Sequence, residues 1–412
     1  MKICKIIFVV FSLMAVLTGC EKSNIKPASN NIKVEVSKKI TLSTNRGDRQ
    51  EQLENLAEEF TRENPEIKVE IEYLPDYERT YKARLAVNEF TDITVTPGVS
   101  ENMPNYFTPL DDVGFTRDDF KIELPLLNGH LYALPVGVGY DGVIYNKTAF
   151  KAAGITKIPS TLNELNDVCG KLKGKGIIPF AINAKDRWPT VWFIRRYPKM
   201  LLDDTDYEDK ITYKDEFLSS ESPVVNILNT LKDMYRKSYL EPDITESDYT
   251  QMIKDMAQGK VAMTFLGSWF ISQLEESGAK PEDVGMFPFP GVKSIILDND
   301  LPYAISKNSK NIAEAELFMK FAWADSRISS AVGQPSPFKN SEDEMEQIKE
   351  LLSFNIPAKP MIADERRYNE IIEASGLNVN NLCLDYLLSQ NSDDVIKSYN
   401  ERWMKARKKL GY

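Results

Sequence analysis

Apolar and polar positions change rhythm several times along the chain. Lys2 and Lys5 precede a run from Ile6 to Leu17 that is apolar except for Ser12. That run is about a dozen residues, whereas a membrane-spanning helix needs roughly 20. The pattern is that of a secretory signal over residues 1–19. Glu21 to Lys39 is then rich in Lys, Asn and Ser, contains Pro27 and has little apolar periodicity. This is spacer composition, so residues 20–39 are assigned to a flexible linker. From Ile40 the rhythm alternates between strand and helix. Ile40–Thr44 is a strand, and Leu53, Leu56, Ala57 and Phe60 then recur on one helical face that Pro65 closes. Ile67, Val69, Ile71 and Tyr73 alternate with charged residues, a second helix covers Tyr77–Val87, and Asp92–Thr96 is a third strand. Strand and helix in alternation predict a parallel sheet with helices on its faces. Ligands of such sheets gather at the carboxyl ends of strands, which puts Asn45, Arg46, Thr96 and Gly98 at a cleft edge.

A second lobe is expected from near Tyr140. Leu131–Pro135 and Val143–Tyr145 have strand character, and Thr161 with Glu164 forms a capping box for a helix carrying Cys169. Residues 200–245 are helical and acidic. A helix from Tyr249 to Gln258 stops at Gly259, ahead of the strand Val261–Phe265 and the loop Gly267-Ser268-Trp269. Further strands are expected at Val284–Phe287 and Tyr303–Ser306, with amphipathic helices from Asn311 onward. More than one lobe also suits the length, since single cores stop growing beyond ~250–300 residues.

Charge and cysteine usage narrow the class. The chain has a formal charge of -10, and the first 19 residues hold two lysines and no acid, so the remainder is more acidic still. Nucleic-acid binding wants a clustered basic surface, so no nucleic-acid partner is expected. Of four cysteines, Cys4 lies in the signal and Cys20 at its boundary. Cys169 and Cys383 fall on apolar helix faces and are read as buried single thiols.

Motifs for chemistry are few. Gly137, Gly139 and Gly142 match the G-x-G-x-x-G spacing, but Val143-Ile144-Tyr145 continues as strand where a dinucleotide site needs a helix N-terminus. No cofactor is expected. The single histidine, His130, sits in a turn, and no Ser-His-Asp relay can be assembled around it. Asp298-Asn299-Asp300 and the cluster Asp203, Asp204, Asp206 lack the ligand spacing and glycine of a calcium loop, so they are read as solvated loops and no metal is expected. Trp188 and Trp269 stand on loops, outside any periodic stripe, where a flat ring can meet the C–H face of a sugar. Trp323 and Trp403 lie on helices and are assigned to packing.

Two resemblances sharpen these readings. Leu17-Thr18-Gly19-Cys20 resembles the lipobox of bacterial lipoproteins, which implies a lipid on Cys20 and cleavage just before it. The protein would then be tethered to the outer face of a cell membrane. A series of stretches also resembles the family 1 extracellular solute-binding proteins of carbohydrate ABC importers, which include maltose-binding protein. They are Phe60-x-x-x-Asn64-Pro65, Tyr132-Ala133-Leu134-Pro135, Tyr145-Asn146-Lys147, Pro159-Ser160-Thr161, Pro179-Phe180-Ala181, Gly259-Lys260-Val261-Ala262-Met263, Gly267-Ser268-Trp269 and Ser306-Lys307-Asn308-Ser309-Lys310.

The resemblance implies an α/β, two-lobed periplasmic-binding-protein fold of type II. Each lobe would be a mainly parallel sheet flanked by helices. Lobe 1 would hold residues 40–136 and 289–308, lobe 2 residues 142–283 and 312–412, with hinge crossings near 135–141, 284–288 and 308–312. Ligand contacts would fall on Asn45, Arg46, Thr96, Tyr140, Asp141, Arg187, Trp188 and Trp269, with Arg366 and Arg367 in a late segment. The function implied is a monomeric, non-enzymatic receptor that closes on a mono- or oligosaccharide and passes it to permease subunits. A lipid-anchored glycosidase, with two carboxylates across the cleft, and a receptor for a non-sugar solute remain the alternatives.

Overall fold

The computed structural model describes residues 38–300, 302–341, 345–361 and 366–412. The expected signal, Cys20 and the linker up to residue 37 lie outside the described residues. The first strand begins two residues before the expected boundary, so Lys38 and Lys39 belong to the fold.

Eleven strands are described: β1 (Lys38–Thr44), β2 (Ile67–Tyr73), β3 (Ile93–Val95), β4 (Leu134–Pro135), β5 (Val138–Asn146), β6 (Ile178–Ala181), β7 (Val261–Gly267), β8 (Val284–Phe287), β9 (Ile295–Asn299), β10 (Pro302–Ile305) and β11 (Ala358–Pro360). They form two sheets, one per lobe.

The first sheet has the order β2-β1-β3-β10-β4. Its first three strands are parallel, as their strand-helix alternation predicts. β10 returns from the other lobe and runs antiparallel to β3 and β4. Helix Gln50–Glu63 turns Leu53, Leu56, Ala57 and Phe60 onto this sheet. Phe60 meets Phe318 and Phe321 edge-on, at centroid distances of 5.2 and 5.4 Å. Those two residues belong to helix Ile312–Trp323, which with helix Arg327–Val332 completes the first lobe's core. The expected assignment of 312–412 to lobe 2 is therefore corrected for its first part. An amphipathic pattern shows that a helix has a buried face, and which sheet covers that face is a tertiary matter.

The second sheet has the order β11-β9-β5-β7-β6, with β8 also paired to β5. Both sheets are mixed. In this one β5 is antiparallel to β7, β8 and β9, and only β6 with β7 and β11 with β9 are parallel. Helices Leu162–Lys173, Pro223–Arg236, Val379–Leu388 and Ser392–Leu410 bury their apolar faces in this lobe. Cys169 and Cys383 lie there as free, buried thiols. Trp323 and Trp403 are fully buried in the two cores, as their helical spacing implies.

The chain passes between lobes from β4 to β5, from β9 to β10, and between Val332 and helix Glu346–Leu352. The first passage lies inside the expected 135–141. The other two correct the expectation. Residues 284–288 hold β8, which pairs with β5 inside the second sheet, and Phe289, Val292 and Ile295 are core residues of that same lobe. Residues 308–311 are stapled to lobe 1 instead of crossing. Asn308 Nδ2 donates to the Asn88 carbonyl at 3.2 Å, Asn311 Nδ2 to the Lys39 carbonyl at 3.0 Å, and Ser309 Oγ to Asp92 at 2.5 Å.

Two of the three glycines meet close neighbours. A Cβ on Gly137 would lie 2.5 Å from Gln334 Cβ, and one on Gly142 would lie 2.9 Å from Met286 Cε and 3.0 Å from the Phe287 carbonyl. Close approach of neighbouring chain, and not a phosphate, is what these positions accommodate.

Candidate functional site

The carboxyl ends of β1 and β3 in lobe 1 face a strand-end edge of lobe 2 made by β5, β6 and β7. On that edge Asp141 pairs with Gly267 across β5 and β7. Tyr140 and Ser268 exchange hydrogen bonds, with the Tyr140 N–H donating to the Ser268 side-chain Oγ at 3.1 Å and the Ser268 N–H to the Tyr140 carbonyl at 2.9 Å. Trp269 follows at once and opens helix Trp269–Glu276. Its ring folds back over Gly267, where an added Cβ would sit 2.4 Å from Trp269 Nε1. Only glycine leaves that space.

After β6 the chain turns through Asn183 and Arg187, both with positive φ, and presents Trp188 on a short 3-10 turn. The next turn, Trp192–Arg196, is π-helical. Such turns are rare and recur at functional sites. Here the turn supplies both Trp192 and Arg196 to the cleft. The loop is held from behind by Glu241, a buried carboxylate that accepts the N–H of Ile182 at 3.0 Å and of Asn183 at 2.7 Å.

Four aromatic residues converge, all half-buried. Trp188 lies 5.7 Å from Trp269, 5.9 Å from Trp192 and 5.0 Å from Tyr249 between ring centroids, and Trp192 lies 6.1 Å from Trp269. Trp188 and Trp269 were expected. Trp192 was missed, although its i,i+4 spacing from Trp188 was a visible signal. Tyr249 was also missed, and nothing in its local pattern points to a site.

Beside the rings lies Asp141, 4% exposed. Trp192 Nε1–H donates to its Oδ1 at 2.9 Å. Arg196 Nε is 3.8 Å from Oδ2, and Arg196 Nη2 donates to Asp298 at 2.5 Å. Burial pushes the Asp141 carboxyl up to about 6, against the pull of Arg196 and of the Trp192 bond. Asp298 ends up in β9 and not in a solvated loop, which corrects that part of the sequence reading. In the other acidic cluster, Asp203 and Asp204 pair with Lys359 and Lys210.

Lobe 1 contributes Arg46, which is buried and bonded through Nε and Nη2 to Asp48 at 2.9 and 2.7 Å. Its Nη2 also reaches Ser272 Oγ of the second lobe at 3.1 Å. Asn45 is half-buried at the end of β1. The remaining expected residues are placed differently. Thr96 is fully buried, and its hydroxyl donates to the Pro302 carbonyl at 3.1 Å. The Tyr140 ring packs in a core of the second lobe. Arg187 is exposed and donates to Asn381 Oδ1 at 2.7 Å. Arg366 is exposed and lies 3.5 Å from Glu101 of lobe 1. The structure thus brings Asp141, Trp188, Trp269 and Arg46 together, and turns Thr96, Tyr140 and Arg187 to other partners.

Two surface concavities lie elsewhere, one over Lys173, Tyr235 and Glu241 and one over Arg49, Gly333 and Glu346, and neither is lined by the tryptophans. Among the described residues no group of three or more side chains could hold a metal ion, and no helix is long and apolar enough to cross a membrane.

The chain is 26% identical over 295 residues to the multiple sugar-binding protein of Streptococcus mutans, covering 65% of this chain and 67% of that protein. It is 26% identical over 327 residues to the melibiose/raffinose/stachyose-binding protein MelE of Bacillus subtilis, covering 75% of this chain and 74% of MelE. Among solved structures, it superposes with a TM-score of 0.78 on a manno-oligosaccharide specific solute-binding protein of Bifidobacterium animalis subsp. lactis in complex with mannotriose, at 21% identity over 92% of this chain and 96% of the other. With the solute-binding protein RafE in complex with raffinose the TM-score is 0.72, at 19% identity over 90% of this chain and 99% of RafE. Those structures share its two-domain fold. The model of the bacterial extracellular solute-binding protein family matches residues 44–325. With strand ends from two lobes meeting over an aromatic group, and with most of its length matching that model, this chain belongs to the bacterial extracellular solute-binding protein family.

Proposed function

We propose that the protein is a carbohydrate receptor which captures a mono- or oligosaccharide between its lobes and delivers it to the permease of an ABC importer. The observation that carries this reading is the convergence of Trp188, Trp192, Trp269 and Tyr249 beside the buried carboxylate of Asp141. Flat rings match the apolar faces of a pyranose, and a buried carboxylate is a strong acceptor for its hydroxyls. The names of the relatives, which are sugar-binding proteins, support the same class. The work is conformational: ligand contacts to both lobes favour closure, since a ligand with equal affinity for open and closed forms shifts nothing. The protein acts as a monomer and performs no chemistry on the sugar.

A thermal-shift screen of the chain lacking residues 1–19 against a library of oligosaccharides tests this, because a ligand that binds only the folded state raises its stability. Trp269→Ala is expected to weaken the best binder about ten-fold or more, ~1.4 kcal/mol. A flat screen, or unchanged calorimetric affinity in the folded variant, would remove the basis for the reading.

The receptor is held outside the cell by a lipid on Cys20, with the segment up to residue 37 as its tether. The support is the Leu17-Thr18-Gly19-Cys20 sequence after a short apolar run. Cys20→Ser is expected to release sugar-binding protein into the medium. Retention of that variant in the membrane fraction would refute the anchor.

A further inference from the structure

The two oxygens of Asp141 are treated differently by the protein. Oδ1 accepts the Trp192 indole N–H, whereas Oδ2 is buried and accepts no hydrogen bond from the described residues. Yet the Arg196 guanidinium lies only 3.8 Å from Oδ2. A free arginine at that range would close onto the oxygen in a charge-assisted bond of about 2.7–2.9 Å. Arg196 is held elsewhere. Its Nη2 is bonded to Asp298 Oδ2, Nη1 is turned to Met361 Sδ, and the guanidinium packs 5.8 Å from the Trp192 ring centroid. The other charges near Asp141 belong to Lys199 and Asp298, and Lys199 is paired at 2.8 Å with Glu208. Arg195, beside Arg196, is bonded to Glu208 as well. Among the described residues no cation hydrogen-bonds Oδ2, and Arg196 Nε stays 3.8 Å away. A buried acceptor left open in this way is costly for the fold alone.

We propose that Asp298 is a positioning residue of the ligand site: by holding Arg196 off Asp141 it keeps Asp141 Oδ2 open as a buried acceptor for a ligand hydroxyl. The inference rests on the cleft being the ligand site. Asp298 belongs to β9, the strand whose next residues cross to lobe 1. The acceptor is thereby tied to the crossing, and movement of the crossing on closure would alter how firmly Arg196 is withheld. The Asp298-Asn299-Asp300 stretch thus has a role that its composition alone does not reveal.

Tryptophan emission of the ligand-free protein, titrated with pH, tests the arrangement without a sugar, because the Trp192 indole is bonded to Asp141. A transition near pH 6 is expected in the wild type, and its absence in Asp141→Asn identifies it. In Asp298→Asn the freed Arg196 closes onto Asp141 and the midpoint falls. In Arg196→Met the stabilising cation is gone and the midpoint rises. Asp298→Asn, its folding checked by thermal unfolding, is expected to bind mannotriose and raffinose at pH 7.5 about ten-fold more weakly or worse than the wild type, as loss of a bond to a charged acceptor implies. A midpoint that is unmoved or raised in Asp298→Asn overturns the proposal, as does wild-type affinity in that variant for a sugar the wild type binds. If the wild type bound no sugar while the midpoints separated as stated, the carbohydrate reading would fall and the positioning role of Asp298 would stand.

Discussion

At Asp141 stability and binding pull in opposite directions. Burial raises its carboxyl from the ordinary aspartate range to about 6. A carboxylate raised on folding favours the folded state fully only below its unfolded value, and that contribution is lost as pH rises through the folded one. At pH 7.5 the ionised group costs about 3 kcal/mol relative to its neutral form. Asp141→Asn is therefore expected to raise the unfolding midpoint at pH 7.5, with the gain shrinking towards pH 4, and to weaken sugar binding at the same time. Wild-type affinity should in turn decline as pH is lowered through about 6, because the acceptor is protonated there. Calorimetric unfolding and binding at pH 7.5 and 5 check both signs, and an Asn variant that is less stable at pH 7.5 would contradict the account. Trp188 and Trp269 stood out in the sequence as loop aromatics, and Asp141 entered only through the family resemblance. The withheld Arg196 was not legible there, because an ion pair between residues 102 positions apart leaves no local pattern.

Among the elements, the turn from β7 into helix Trp269–Glu276 is the most constrained part of the platform. An Ala at Gly267 would put Cβ 2.4 Å from Trp269 Nε1 and 2.8 Å from Cδ1. Gly267→Ala is expected to displace the Trp269 ring, weakening sugar binding about ten-fold while the rest of the fold persists. Near-wild-type affinity would show that the ring is not part of the site. Local pattern reported these elements well where period and caps agree. The helix expected from Leu53, Leu56, Ala57 and Phe60 spans Gln50–Glu63. The Thr161 cap forms, with its hydroxyl accepting from the Glu164 N–H at 3.2 Å. The return half of that box is displaced by one residue, since the Glu164 carboxylate accepts the Ser160 N–H and hydroxyl, both at 2.7 Å. The π turn at Trp192–Arg196 was beyond such reasoning, because its hydrogen-bond shift arises from packing and not from a 3.6-residue repeat.

For the whole molecule, the lobes meet through a few polar contacts besides the chain crossings. Arg49 of lobe 1 pairs with Glu276 of lobe 2 at 2.7 Å, Gln52 reaches the same carboxylate at 3.2 Å, and Arg46 reaches Ser272 at 3.1 Å. Contacts that exist only when the lobes approach bias the open–closed equilibrium and so scale the apparent affinity for any ligand that needs closure. Glu276→Ala is expected to increase the radius of gyration of the ligand-free protein in X-ray scattering and to weaken sugar binding by a few-fold, as suits a half-exposed ion pair. An unchanged scattering profile would place the contact outside the closing motion.

What the sequence by itself determined is local or additive: the short apolar run before Cys20, the alternation of strand and helix, the acidic charge, the loop tryptophans, and a family resemblance spread over most of the chain. Each depends on neighbours within a few turns or on sums over the whole. Tertiary structure alone decided which sheet claims helices Ile312–Trp323 and Arg327–Val332, where the second and third crossings fall, that Thr96 and Tyr140 turn inward, and that Asp298 draws Arg196 away from Asp141. The physical reason is common to all four. An amphipathic face or a charged side chain specifies what kind of partner it needs, and only packing selects among the several partners of that kind that the chain provides.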